Sequence, residues 1–306
     1  MGTERKKKIV LAIITTMGVL VIGAGGYIWQ LATSTIANIQ ENIDRKNSEM
    51  RLETISFEEK DPISVLLMGV DDPISRQDFG RSDTLLLLTI NPHDESVNMV
   101  SIPRDTHTSL RGERTKGKIS HAHALGGSQT AIRTVEHFLD VPVDYYVKAN
   151  MDSFVDMVDV LGGIEVENEF EFTFHGMNYP EGKLSLNGEE ALGYARMRHE
   201  DPRGDFGRQL RQREVIEAVI QKGSNISTIT KFNGIADVIE GNLKTNLSIE
   251  EMWNIQSKYK NAIHHIKSHE IKGEGKKVDG KYLYDPDDEQ LEKLSQTLKD
   301  HLELEE

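Results

Sequence analysis

The chain contains no cysteine. That excludes disulfides, thiolate zinc sites, cysteine nucleophiles and thiol redox chemistry, so stability must come from the core and from hydrogen bonds. Positive charge is also scarce, with 36 Lys plus Arg against 50 Asp plus Glu and a formal charge of -14. This balance disfavours a general binder of nucleic acid, so any phosphate site has to be local. Internal repeats and low-complexity tracts are absent as well. The 306 residues are therefore expected to hold one large domain rather than a repeat array.

The one long apolar run lies at the start. Arg5, Lys6, Lys7 and Lys8 precede an uncharged stretch from Ile9 to Ile28, about 20 residues and ~30 Å as a helix, enough to span a bilayer. The basic flank assigns the N-terminus to the cytoplasm and the rest of the chain to the outside. A cleaved signal peptide is the competing reading. The apolar part exceeds the usual signal core and no small-x-small cleavage site follows it, which favours an uncleaved anchor. The expected division is a basic tail (1–8), a transmembrane anchor (9–29), an extracytoplasmic stalk (30–60) and a catalytic domain (61–306), in a single-pass cell-membrane protein. Leu31 to Lys60 is polar with spaced Ile36, Ile39 and Ile43. That pattern suits a stalk, the alternative being that it packs back on the domain.

Apolar runs at Ile63 to Met68, Thr84 to Ile90 and Val97 to Ile102 read as strands, the second too rich in leucine to be half exposed. Val143 to Val147 and Ile164 to Val166 read as strands too, with strand-like pieces at Ile263 to Ile266 and Lys281 to Tyr284. Helical spacing is expected over Ser128 to Leu139, Ser153 to Leu161, Asn187 to Tyr194, Asp205 to Lys222, Ile249 to Tyr259 and Asp287 to Leu302. The interleaving predicts an α/β domain, a central mixed sheet with helices on both faces, whose ligand site lies beyond the strand ends.

Three constellations could carry chemistry. After the first strand come Asp71 and Asp72, and GRSDT places Asp83 just before the leucine-rich strand. Asp71 and Asp83 could share Mg²⁺ (or Mn²⁺), which takes one or two carboxylates plus water and phosphate oxygens. Alternatively Asp71 and Asp72 start a turn and Asp83 pairs with Arg81. SIPRDT puts Arg104 beside Asp105 at another strand end, either as a phosphate-binding fork of donors or as a surface ion pair. The densest segment, YARMRHEDPRGDFGRQLRQRE from Tyr194, holds Arg196 and Arg198 two apart, which would point one way if the helix ends near Tyr194. Asp205 could cap a helix on which Arg208, Arg211 and Gln212 share a face. Clustered guanidiniums need an anion or a salt-bridge network with Glu200, Asp201 and Asp205. Gly112 to Ile119 nearly spells a phosphate loop but has Ile119 where a hydroxyl is needed, and it is rejected. His121-Ala-His123 has strand-like alternation compatible with zinc but no third ligand nearby, leaving a loop or ligand contact.

Taken in order, GRSDT, SIPRDT, KISHAHALGG and YARMR with DFGRQLRQ resemble the LytR-CpsA-Psr family of Gram-positive envelope proteins, from about Pro62 to the C-terminal region. The short anchor is family-like too. The resemblance implies an α/β domain that holds a polyisoprenyl pyrophosphate, its lipid in an apolar tunnel, and transfers the attached glycopolymer, a wall teichoic acid, to peptidoglycan. It implies Asp71 and Asp83 as magnesium ligands. Arg81, Arg104, Arg196, Arg198 and Arg208, with Gln212, would bind the pyrophosphate. Asp105 is the expected base, and Arg81, Arg104, Arg196 and Arg198 are expected to act in the transfer itself. His123, where the family pattern has an aromatic, and Leu125 depart from it. Two other classes stay open: a non-catalytic glycolipid-binding or regulatory protein, and a polyprenyl pyrophosphate pyrophosphatase.

Overall fold

In the computed structural model, residues 48–71, 79–111, 116–224 and 243–304 are described, apart from the side chain of Ile249. The expected basic tail, membrane anchor and first part of the stalk lie outside these residues, as does Asp72. Among the described residues no helix is long and apolar enough to cross a membrane.

The chain runs through β1 (Ile63–Asp71), β2 (Arg81–Asn91), β3 (Ser96–Ser101), β4 (His107–Ser109), β5 (Lys116–Lys118), α1 (His121–Leu139), β6 (Tyr145–Ala149) and α2 (Met151–Val160). It continues through β7 (Ile164–Asn168), β8 (Phe172–Phe174), β9 (Met177–Tyr179), β10 (Gly182–Leu186), α3 (Gly188–Arg196) and α4 (Asp205–Ser224). It closes with β11 (Leu243–Thr245), α5 (Ile249–Lys258), β12 (Ile266–Glu270), β13 (Gly273–Val278), β14 (Lys281–Pro286) and α6 (Asp288–His301). Six strands form one sheet in the order β11-β6-β1-β2-β3-β12. β1 pairs parallel with β6 and β3 with β12, and the other pairs are antiparallel.

The leucine run shows why this sheet is covered twice. Alternate residues of a strand face opposite sides, so Leu85 and Leu87 enter one core and Leu86 and Leu88 the other. On the first side Leu66, Met68 and Val100 pack with Ile132 and Val135 of α1 and Leu294 and Leu298 of α6. On the second, Val65, Val97 and Met99 meet Ile216 and Ile220 of α4 and Met252 and Ile255 of α5. Each such leucine, removed from water, contributes about 1.5–3 kcal/mol. A third cluster joins α2, β7, α3 and α4 through Val158, Val166, Phe172, Tyr194 and Val215.

Several expectations change. The strand-like piece at Ile263 to Ile266 is a 3-10 turn over Ala262–His264, and the strand starts at Ile266. His121 and His123 open a helix rather than alternating along a strand, and that helix kinks at Gly126 and Gly127. The stretch assigned to a stalk meets the domain from Ser48 onward. Ser48 donates to Glu136 at 2.5 Å, the Arg51 guanidinium pairs with Asp144 at 2.7 Å, and Phe57 stacks on Tyr145. Its last part, from Ser48 to Lys60, thus follows the alternative reading, packing back on the domain.

Candidate active site at the strand ends

The sheet directions bring the ends of β1 and β3 and the start of β2 to one edge, and the functional side chains collect there. Asp71 closes β1 opposite Arg81, its backbone partner in β2. Gly80 makes this closure possible. Its φ is +79° and a Cβ would fall 2.2 Å from the Asp71 carbonyl oxygen, a position open only to glycine. The register then slips: Gly69 pairs with Thr84 and Val70 with Ser82, so Asp83 is the extra residue of a β-bulge. Bulges re-aim side chains, and this one turns Asp83 toward Arg104 at 3.3 Å. The pair that the alternative reading placed between Asp83 and Arg81 is therefore not formed; Arg104 takes that role.

Arg104 and Asp105 sit on a loop stapled at its backbone. Ser120 N donates to Arg104 O at 3.2 Å and Ile119 N to Thr106 O at 2.8 Å. Asp105 accepts from Lys118 Nζ at 2.6 Å and lies 3.9 Å from Arg104 Nε. Lys118 was not assigned to the site from sequence, and His121 only as part of a loop or ligand contact, although both lie within the KISHAH motif that signals it. Burial, with the nearby Arg81 and Lys118 charges, pushes the His121 pKa down.

Later in the chain, Asp205 is the first helical residue of α4 rather than its cap, and its carboxylate pairs with Arg208 at 2.9 Å and faces Arg198 at 3.9 Å. Arg208 lies near Arg104 and Asp83; burial first, and then Arg104, lower its pKa against the pull of Asp205. Its Nε is buried with no hydrogen-bond partner among the described residues. A buried donor left without an acceptor costs about 1–3 kcal/mol, so this geometry invites an anion. Gln212 follows one turn later, half-buried.

Two expectations about this segment need correction. Helix α3 runs to Arg196, so Arg196 and Arg198 are not placed together by strand alternation. Arg196 is exposed and makes no ion pair among the described residues, whereas Arg198 reaches the cluster through Asp205. Nor do Arg208 and Arg211 share a destination. Arg211 is buried, donating to Asp201 Oδ2 and Met197 O at 2.6 Å each and to Tyr194 O at 3.2 Å, with its guanidinium 5.5 Å from the Phe172 ring. Gly207 lets α4 approach this pair, since a Cβ there would lie 1.9 Å from Asp201 Oδ2.

For a divalent cation, the donors at this edge are Asp71 and Asp83. No group of three or more His, Cys, Asp or Glu that could hold a metal exists among the described residues. Two hard oxygen donors beside guanidiniums fit Mg²⁺ in kind, with water and phosphate oxygens completing its shell.

The sequence profile of the LytR_cpsA_psr family matches residues 26–300. The chain belongs to this family. It is 52% identical over 303 residues, 98% of each chain, to the polyisoprenyl-teichoic acid–peptidoglycan teichoic acid transferase TagU of Bacillus subtilis (strain 168). The crystal structure of B. subtilis TagU superposes with a TM-score of 0.67 at 52% identity, covering 81% of this chain and 99% of that one. A structure of TagT bound to LI-WTA superposes at 0.72 with 31% identity, covering 85% and 98%. The two residues expected to depart from the family pattern fall beside the site. His123 is buried, its Nδ1 3.0 Å from Gly80 O at the head of β2, and Leu125 is half exposed next to the Gly126–Gly127 kink.

Proposed function

We propose that this protein transfers a teichoic acid from a polyisoprenyl pyrophosphate to peptidoglycan by phosphoryl transfer. The observation that carries the reading is a locally cationic edge on an acidic chain. Arg104, Arg208 and Arg198 converge on Asp83 and Asp205 with ion pairs of 2.9 to 3.9 Å, and the buried Arg208 Nε has no hydrogen-bond partner among the described residues. Carboxylates only partly neutralise the guanidiniums, so a diphosphate would complete them with charge-assisted hydrogen bonds. The names of the related transferases give a polyisoprenyl-linked teichoic acid and peptidoglycan as the two substrates.

An acceptor hydroxyl attacks the phosphorus nearest the polymer. The bond to the bridging oxygen breaks, and the polyprenyl phosphate leaves with that oxygen. Arg81, Arg104, Arg198 and Arg208, with Gln212 beside them and Arg196 joining from the last turn of α3, hold the diphosphate and the charge growing on the leaving group. Asp71 and Asp83 would hold Mg²⁺, which when bound supplies further neutralisation of the diphosphate. Asp105, steadied by Lys118, orients the acceptor hydroxyl and takes its proton. The N-terminal run at 9–29 anchors the domain outside the membrane, where lipid-linked donors are concentrated. The lipid occupies an apolar tunnel, as the family resemblance implies.

The test is to incubate the full chain with a lipid-linked teichoic acid donor, a peptidoglycan oligomer and Mg²⁺, and to weigh both products. Polymer joined to the acceptor through one phosphate, with polyprenyl phosphate released, is the expected result. Phosphate or polymer phosphate released without acceptor labelling would make it a pyrophosphatase. Binding without turnover would make it a receptor.

A further inference from the structure

Beyond the phosphate cluster, the same edge carries large aromatic side chains that the core does not absorb, among them Tyr282 and Phe206. Tyr282 on β14 is 45% exposed and Phe206, two residues before Arg208, is 40% exposed. Exposed rings grouped beside a polar site mark a contact surface. Tyr282 is also seated. A Cβ on Gly275 would lie 2.3 Å from Tyr282 Oη and 2.7 Å from its Cε2, so the ring rests on the bare backbone of the neighbouring strand β13. With one side of the ring fixed and nearly half of the residue open, little entropy is lost on stacking a ligand against it.

This strand is tied to the reacting centre. Tyr284 N donates to Asp105 O at 2.9 Å, and Thr106 bridges to Tyr284. Phe206 stands edge-on to the Tyr284 ring, with centroids 5.9 Å apart. Asp105 and Asp205 are near enough that, after burial, their charges raise the Tyr282 phenol pKa. Carboxylates accept hydrogen bonds from hydroxyls. An open, seated ring beside these acceptors suits a neutral, hydroxyl-rich ligand.

We propose that Tyr282, resting on Gly275 with Phe206 set against the nearby Tyr284, is the stacking platform for a sugar ring of the peptidoglycan acceptor. This rests on the transferase reading and adds the acceptor side to it. The ring presents an apolar face to the sugar's C–H groups, while Asp105 and Asp205 receive its hydroxyls. One of those hydroxyls is thereby brought toward the phosphate held by Arg104 and Arg208.

The experiment measures binding apart from turnover, by calorimetry on the full chain in detergent, with a soluble peptidoglycan oligosaccharide and, separately, inorganic pyrophosphate with Mg²⁺. Tyr282→Ala should weaken the oligosaccharide about tenfold, whereas Tyr282→Phe should stay within about twofold, because the ring rather than the hydroxyl makes the stack. Gly275→Ala, which unseats the ring without removing it, should weaken the oligosaccharide too. Pyrophosphate binding should be unchanged in all three. Equal oligosaccharide affinity in Tyr282→Ala and the parent, no oligosaccharide binding by the parent, or loss of pyrophosphate binding instead would overturn the assignment. A parent protein that binds the sugar through Tyr282 yet labels no acceptor would sink the transferase reading and leave the sugar site standing.

Discussion

Arg208 and Arg211 lie one helical turn apart on α4 and belong to different kinds of ionic region. Arg211 is closed in. Its pair with Asp201 is 2.6 Å long, its remaining donors go to Tyr194 and Met197 carbonyls, and the side chains are 4% and 0% exposed. Arg51 with Asp144 repeats the pattern, since Asp144 also accepts from Ser64. Arg208 is only partly satisfied: it pairs with Asp205 at 2.9 Å, but its buried Nε has no hydrogen-bond partner among the described residues and its neighbours include another guanidinium. Buried polar networks are stable when every member is satisfied and costly when one is not. The difference separates arginines that hold the fold from arginines that await a ligand.

Removing a closed arginine should give the largest loss of stability. Arg211→Ala leaves Asp201 buried without its main cation and should cost about 3–5 kcal/mol in a denaturant titration. An open arginine should show the reverse. Arg104→Ala should lower transfer by about 10²–10³-fold while changing unfolding free energy by no more than about 1 kcal/mol. Acid should distinguish the regions more gently. Burial raises the Asp201 pKa, but hydrogen bonds from Arg203 and Arg211 overcome it and bring the pKa from 3.8 to about 2. Because the folded value is depressed, the contribution is complete above the unfolded pKa and fades as pH falls toward 2. It amounts to about 2 kcal/mol. Asp201→Asn should therefore flatten the stability profile between pH 4 and 2, as followed by urea unfolding at each pH.

What the sequence disclosed follows from which signals are local. The leucine run of β2 announced a strand buried on both faces, and Asn187 ahead of α3 proved to be a capping box with Glu190. The site edge was legible because its residues end strands. Partner choice was not. Helical spacing puts Arg208 and Arg211 on neighbouring positions, yet Asp201 claims one and Asp205 the other, depending on a turn through Gly204 that no periodicity encodes. A one-residue bulge likewise sent Asp83 to Arg104. The three-residue strands β4, β5, β8, β9 and β11 are too short for alternation to register. Arg213, buried between Ser101 and Glu270, was hidden among its arginine neighbours.

The measurement that bears most directly on the open and closed arginines is calorimetric binding of inorganic pyrophosphate with Mg²⁺ to the parent chain and to Arg208→Gln, alongside the melting temperature of each. The account predicts that Arg208→Gln loses most of the pyrophosphate affinity and melts within a few degrees of the parent. Parent-like affinity combined with a collapse in melting temperature would contradict it, making Arg208 one more arginine that holds the fold.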